Sequence, residues 1–405
     1  MGKALEDLRV LDLTQWEAGP ACTLIMAFLG ADVIKIEPPG SGDPARHFST
    51  VPLEPGVDSF YFIYFNQNKK SITLDLEKLR GRAILKEMVK KTDVLVENFE
   101  PGTMERWGLS YEVLKEVNPA LIYARASGYG SYGPYANYPA TDATAQAMSG
   151  DFPFTGWPDK PPVKPAPDIG ETGAGVNLFS AIMMAVHQRE RMGKGQFVEA
   201  TMIDTVINVG RAPYTLMTME EDQMFLGQPM RRVGVGGGAT APSNIYPTKD
   251  NDVYIVFMFG AQHQWETLLK VIGHPELIGD PRFADPRVRG KHKDIVDKMI
   301  SEWTSQKTGY EAFTTLAAAG VSTGVTYTST QAMNDPHVNF RKKVVELTHP
   351  VRGKYKTLGY GAILEKSPVE VTNAPLLGQD NEKVYAELMG YSKADLTKLK
   401  KVGVI

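Results

Sequence analysis

The sequence is short of the residues that build several kinds of site. A single cysteine, Cys22, among 405 residues excludes an internal disulfide and every multi-cysteine zinc pattern. The seven histidines, His47, His187, His263, His274, His292, His337 and His349, fall in no HxxxH or HExxH spacing, so no metal site is expected. No run of about twenty apolar residues is evident, which argues against a membrane span. Residues 1–12 carry acids and lack the apolar core of a signal sequence. Positive charge is not in excess: 44 Lys and Arg against 47 Asp and Glu leave a net charge of −3. Neither a nucleic acid nor an anionic membrane is therefore an expected partner, and a cytoplasmic location is expected. A GxGxxG turn is also missing. The turn after the first strand offers only Gly19 before Pro20, and without glycines a pyrophosphate cannot approach the following helix closely. This weighs against a nicotinamide-dependent dehydrogenase. No internal repeat or low-complexity tract is found.

What is present is an alternation of short β-branched runs with helical patterns. The pattern predicts strands over 8–13, 31–37, 70–76, 93–97, 121–124 and 197–202. It predicts helices over 21–29, 78–91 and 174–192, with a further helix from about 204. This rhythm predicts an α/β fold with a large open, mostly parallel, Rossmann-like sheet domain. Ligands of such sheets collect beyond the carboxyl ends of the strands. Glycine, proline and tyrosine crowd residues 128–175, which read as loops. A glycine run, Gly234 to Gly238, opens a different region with a strand over 253–258 and amphipathic helices. The expected organisation is a large domain begun by 1–224, a smaller α+β domain over 225–330, and a return to the large domain over 331–405.

Several segments carry a resemblance. They are Glu17-Ala18-Gly19-Pro20-Ala21-Cys22-Thr23, Phe28-Leu29-Gly30-Ala31-Asp32-Val33-Ile34-Lys35-Ile36-Glu37 and Gly40-Ser41-Gly42-Asp43. Asn66-Gln67-Asn68-Lys69-Lys70-Ser71, Val96-Glu97-Asn98-Phe99-Glu100-Pro101-Gly102 and Gly128-Tyr129-Gly130 follow. Ala145-Gln146-Ala147-Met148-Ser149-Gly150, the segment Arg189 to Gln196, and Ala374-Pro375-Leu376-Leu377-Gly378 complete the set. In this order, over nearly the whole chain, they resemble the class III CoA-transferases of the formyl-CoA and carnitine type. The resemblance implies interlocked-ring dimers, either of two copies or with a homologous subunit. It implies acyl-CoA and carboxylic acid substrates, coenzyme A as a substrate moiety rather than a tightly bound cofactor, and no metal. By motif position it implies CoA contacts at Arg46, Asn68, Lys69, Leu74, Asn98, Phe99 and Arg106. Phosphates need cations and donors, and adenine needs an apolar or aromatic face.

The family's nucleophile is an aspartate just before a glycine-containing helix start. Counting back from Arg189-Glu190 places that position at Glu171, with Gly175 in register, so glutamate stands where the family has aspartate. A carboxylate there attacks the thioester carbonyl. Glutamate reaches roughly 1.5 Å further from the backbone than aspartate, and a misplacement of about 1 Å can cost on the order of a hundredfold in rate. Two readings stay open: Glu171 is the nucleophile of a reshaped pocket, or the chain is the weak or silent subunit of a heteromeric transferase such as the succinyl-CoA:benzylsuccinate type. A helix-start carboxylate favoured only by the dipole is the plain alternative. Gly236, Gly237 and Gly238 fall in the run that matches the family's mobile loop over the reacting carboxylate. Glu17 stands where the formyl-CoA type has glutamine, and a second acid there would repel anionic substrates. A 2-methylacyl-CoA racemase is a further alternative, weakened because Thr141 takes the position of the required histidine base. Trp16, Tyr132, Tyr135, Tyr138, Phe152, Phe154 and Trp157 make an aromatic substrate lining conceivable.

Overall fold

Residues 2–405 are described by the computed structural model except 55, 151, 153, 154, 212–231, 233, 237–239 and 258–260. The predicted strands form one six-stranded parallel sheet: β1 Arg9–Asp12, β2 Asp32–Glu37, β3 Lys70–Thr73, β4 Val94–Glu97, β5 Ile122–Ser127 and β6 Phe197–Thr201. The strand order is β3-β2-β1-β4-β5-β6. The chain builds outward from β1 to β3, then crosses back to place β4 on the other side of β1. That reversal leaves a crevice at the carboxyl ends of β1 and β4.

Both faces of this sheet are covered, as its nearly continuous apolar strands require. On one face Val10, Val33, Val94 and Ile122 pack on Cys22 and Met26 of the helix Ala18–Phe28 and on Leu178 and Ile182 of the long helix Ile169–Met192. On the other, Leu11, Ile34, Leu95 and Tyr123 pack on Ile84 and Leu85 and on Leu388, Leu396 and Val404 near the C-terminus. The side-chain alternation of each strand thus divides its residues between two cores. The long helix stops at Gly193, which adopts the left-handed conformation at φ 68° that glycine accepts without penalty.

The residues divide into two units. The first comprises Met1–Asp151, Lys164–Met219 and Phe340–Ile405; the second comprises Phe152–Val163 and Glu220–Asn339. Within the first, Val344–His349 and Gly353–Leu358 form an antiparallel hairpin. The second holds a three-stranded antiparallel sheet of Ser243–Tyr246, Val253–Val256 and Thr323–Val325, closed over a core containing Trp265, Leu268, Phe283 and Ile300. Residues 152–163 pack with the second unit, not with the residues flanking them in sequence. The boundary expected near 224 lies outside the described residues.

Three expectations need correction. The stretch 128–175 is not all loop: Asp142–Met148 is a helix, nucleated by a capping box in which Thr141 and Thr144 exchange hydrogen bonds. The long helix begins at Ile169, five residues before the expected start, despite Gly170 and Gly173 in its first turns. By length and hydropathy this helix could cross a bilayer, contrary to the expectation of no such segment. Gly170, Ala174, Gly175, Leu178, Ile182, Ala185 and Val186 form its buried face.

Candidate active site

Three strands end in a buried acid: Asp12 closes β1, Glu37 closes β2 and Glu97 closes β4. Each is matched by a buried or half-buried base. Lys69 Nζ lies 3.0 Å from Asp12 Oδ2, Arg46 Nε lies 2.7 Å from Glu37 Oε2, and Arg125 Nε lies 2.5 Å from Glu97 Oε1. Burial alone would raise the Asp12 pKa. The Lys69 and Lys35 charges and the hydroxyls of Thr14 and Thr23 hold it instead well below the usual carboxylate range. Burial pushes Lys69 down to about 8 against the pull of Asp12.

These pairings engage two of the residues expected to contact CoA. Arg46 is 1% exposed, and its guanidinium donates to both oxygens of Glu37, to Asp58 and twice to the carbonyl of Pro375. All five of its N–H groups are used. Lys69 Nζ likewise donates to Asp12, the Pro20 carbonyl and Asn66 Oδ1, leaving no proton for a phosphate. Asn68 lies elsewhere too. Its amide donates to the Glu370 carbonyl and accepts from Thr372 N–H, latching the segment around 371.

The other four come together. Leu74, Asn98, Phe99 and Arg106 line a cleft of about 500 Å³ with Gln15, Trp16, Pro38 and Trp107. It opens beyond the carboxyl ends of β1 to β4, spanning the reversal point. Phe99 and Trp107 meet edge to face with centroids 5.2 Å apart. Arg106 is exposed and spends one N–H on Thr103 Oγ1, so its remaining donors are free for an anion. Asn98 bonds both the N–H and the C=O of Gln15, tying the end of β1 to the end of β4.

Glu17 and Glu171 also meet. Glu17 sits at the N-terminus of the helix Ala18–Phe28, and Glu171 lies in the first turn of the long helix. Each helix start is served by the other's acid. Glu171 accepts from the Ala18 N–H, while Glu17 Oε1 accepts from Thr172 Oγ1 at 2.5 Å and Oε2 from Tyr61 Oη at 2.6 Å. Both carboxyls thus lie where helix dipoles favour anions. Asp142, from the short helix Asp142–Met148, accepts from the Gly170 N–H at 2.8 Å and caps the long helix, whose own Asp168 makes no side-chain cap. Burial, and then the charges of Glu17 and Asp142, push Glu171 up to about 7. Burial also raises Glu17 despite its two hydroxyl donors.

The close approach of the two helices depends on Gly175. A Cβ there would lie 2.6 Å from the Ala18 carbonyl oxygen and 2.8 Å from Ala21 Cβ. Alanine favours a helix over glycine by about 1 kcal/mol, but this clash is with backbone. Gly175→Ala is therefore expected to destabilise the protein by about 1–3 kcal/mol, seen as a lower melting temperature; a stabilised variant would refute the packing.

Gly236 belongs to the second unit, beside Lys293 and the Ser243 carbonyl. Gly237, Gly238 and Phe154 lie outside the described residues. Of the aromatic residues expected to line a substrate site, Trp16 adjoins Glu17, Tyr135 meets Tyr138 at a tilt and Tyr129 edge to face, and Phe152 and Trp157 fall in the second unit. The sequence reading missed Tyr61, Thr172 and Asp142 as partners of the carboxyl pair. An acid directly after a Thr N-cap was a usable signal for Asp142; nothing marked Tyr61. Among the described residues no group of three or more His, Cys, Asp or Glu is placed to hold a metal ion.

A parallel sheet with a cleft at its reversal point and a carboxyl pair at two helix starts defines an open α/β protein of the kind whose ligands collect at the sheet's switch point. The family model for CoA-transferase family III matches residues 5–381, and the chain belongs to that family. It is 37% identical to a formyl-CoA:oxalate CoA-transferase of Streptomyces coelicolor, over 100% of this chain and 99% of the relative. It is 35% identical to a succinyl-CoA–D-citramalate CoA-transferase of Chloroflexus aurantiacus, over 100% and 98%. Among solved structures, a CaiB/BaiF family protein from Brucella suis superposes with a TM-score of 0.84 at 29% identity, covering 96% of this chain and 100% of that one.

Proposed function

We propose that the protein transfers coenzyme A between an acyl-CoA thioester and a free carboxylic acid, with Glu171 as the nucleophile. The Glu171 carboxylate attacks the thioester carbonyl, the C–S bond breaks, and CoA leaves as thiolate, giving a mixed anhydride. The thiolate then attacks the Glu171 carboxyl carbon and expels the donor acid, leaving an enzyme–CoA thioester. The acceptor carboxylate runs the same two exchanges in reverse. The observation that carries this reading is the carboxyl itself. It is half-buried, held at a helix start by the Ala18 N–H and bordered by a second acid.

In this reading the cleft takes the nucleotide end of CoA. Leu74, Phe99 and Trp107 offer the adenine its apolar and aromatic face, and Arg106 offers a phosphate its fork of donors. Lys69 and Arg46 act from behind, setting the strand ends. The working form is an interlocked dimer, with a second copy or a homologous subunit, as the family resemblance implies.

The attacking form is the charged one, and burial beside Glu17 favours the neutral one. Activity is therefore present above the Glu171 midpoint and lost below it. Purified protein assayed for CoA transfer from roughly pH 5 to 9 is expected to show kcat/KM falling with unit slope below about pH 7. Glu17→Gln, which removes the neighbouring charge, moves the midpoint down. A profile flat from pH 5 upward would reject a nucleophile in this environment.

A further inference from the structure

One wall of the cleft is a single stretch of chain that leaves the sheet at Glu97, the last residue of β4, and runs to Trp107. It supplies Asn98, Phe99, Thr103, Arg106 and Trp107 to the lining. Gly102, in the left-handed conformation at φ 82°, turns the chain into the helix Thr103–Arg106. A helix of four residues is too short to be stable by itself. Met104 seats its underside in the core, but one buried anchor leaves its rotation open.

Arg125 supplies the second anchor. It stands beside Glu97 in the register of β4 and β5. Its Nε donates to Glu97 Oε1 at 2.5 Å, and its Nη2 donates to Glu105 Oε1 at 3.1 Å. Glu97 passes the constraint on, because its other oxygen accepts the Phe99 N–H at 2.9 Å. Glu105 precedes Arg106 in the short helix. One rigid guanidinium plane therefore holds Phe99 at the near end of the wall and Arg106 at the far end. The clasp is itself braced. Glu97 is 1% exposed and accepts a further bond from Tyr123 Oη, and the Phe197 ring lies 5.7 Å from the guanidinium. Arg125 is not among the residues that line the cleft, so it acts only through those it holds.

We propose that Arg125 is a positioning residue for coenzyme A: by clasping Glu97 and Glu105 together it holds Phe99 and Arg106 at the separation that grips the nucleotide. This rests on the reading of the cleft as the nucleotide site and adds the residue that shapes it. The role needs arginine. A lysine at 125 keeps the positive charge that the buried Glu97 requires, but its ammonium is a point charge without the planar fork that reaches two acids in fixed directions. Removing the charge altogether strands the Glu97 carboxylate, so the two kinds of variant separate loss of shape from loss of charge.

Calorimetric titration of the purified full-length protein with CoA tests this without reference to the acyl group. Arg106→Gln, which removes a lining group, and Arg125→Lys are each expected to raise Kd about tenfold, the scale of one lost charge-assisted contact. Arg125→Met paired with Glu97→Gln, which leaves no buried carboxylate stranded, should match Arg125→Lys. The coupling between sites decides the role. In a Phe99→Ala, Arg106→Gln background the two groups that Arg125 positions are gone, so adding Arg125→Lys is expected to change Kd less than about twofold. An arginine that merely stabilised the fold would weaken binding by the same factor in both backgrounds. That additive result, or an unchanged Kd in Arg125→Lys while Arg106→Gln loses affinity, would overturn the inference and leave the reading of the cleft intact. Wild-type affinity in the Phe99→Ala, Arg106→Gln protein would overturn the reading of the cleft, and this inference with it.

Discussion

Glu171→Gln is expected to lower the rate of CoA transfer by on the order of 10⁴-fold or more, with little change in the affinity for CoA. The amide keeps the size of the side chain and can still accept from the Ala18 N–H that the carboxyl now holds. What it lacks is the oxygen nucleophile, so neither the anhydride nor the enzyme thioester can form. Loss of a covalent nucleophile removes the pathway rather than trimming a barrier, which is why the effect should dwarf that of any positioning residue. Because the cleft proposed to take CoA is lined by Leu74, Phe99 and Arg106 and not by Glu171, binding measured by titration with CoA should survive. Turnover of the variant within tenfold of the wild type would remove Glu171 from the nucleophile's role.

The second large effect is on stability. Asp12→Ala is expected to cost about 3–5 kcal/mol, because it strands a fully buried ammonium. Asp12 accepts from Lys69, from the Thr14 N–H and hydroxyl, and from the Thr23 hydroxyl. Lys35 adds its charge and donates to the Thr14 carbonyl. Removing one carboxylate therefore leaves several donors unsatisfied at once. Replacing both partners, Asp12→Ala with Lys69→Met, should recover part of the loss, since the isolated charge is what costs most. Denaturant unfolding of the two variants measures this directly; a single-variant loss below about 1 kcal/mol would contradict it. The effect reaches the site, because Lys69 also donates to the carbonyl of Pro20 in the helix that Glu17 opens.

The contrast between Arg106 and Arg46 shows what was legible beforehand. Strands β1, β2 and β4 were readable because short apolar runs rich in Val, Ile and Leu, bounded by polar turns, fit a doubly covered parallel sheet. Once such a sheet is inferred, residues just after its strands must gather at one edge. That is why Leu74, Asn98, Phe99 and Arg106 meet in one cleft. Arg46 and Lys69 share the same sequence signal, a cation near a strand end. What separates them is a buried counter-charge, Glu37 for Arg46 and Asp12 for Lys69, the latter 57 positions away. No local pattern carries that information. The long helix hid its first turn behind Pro165, Pro167, Gly170 and Gly173, residues that favour loops. Packing against the helix Ala18–Phe28 and the cap from Asp142 outweigh those propensities. The partnership of Glu17 with Tyr61 and Thr172 spans 44 and 155 positions and follows only from the fold.

The most direct test of the central claim is to locate the covalent intermediate. The purified protein is incubated with an acyl-CoA donor, quenched with borohydride or hydroxylamine, digested and analysed by mass spectrometry. A reduced or hydroxamate-modified side chain at Glu171, absent in Glu171→Gln, is the predicted result. Modification confined to Glu17 or Asp142, or transfer that proceeds with Glu171 unmodified under conditions that trap every turnover, would contradict it.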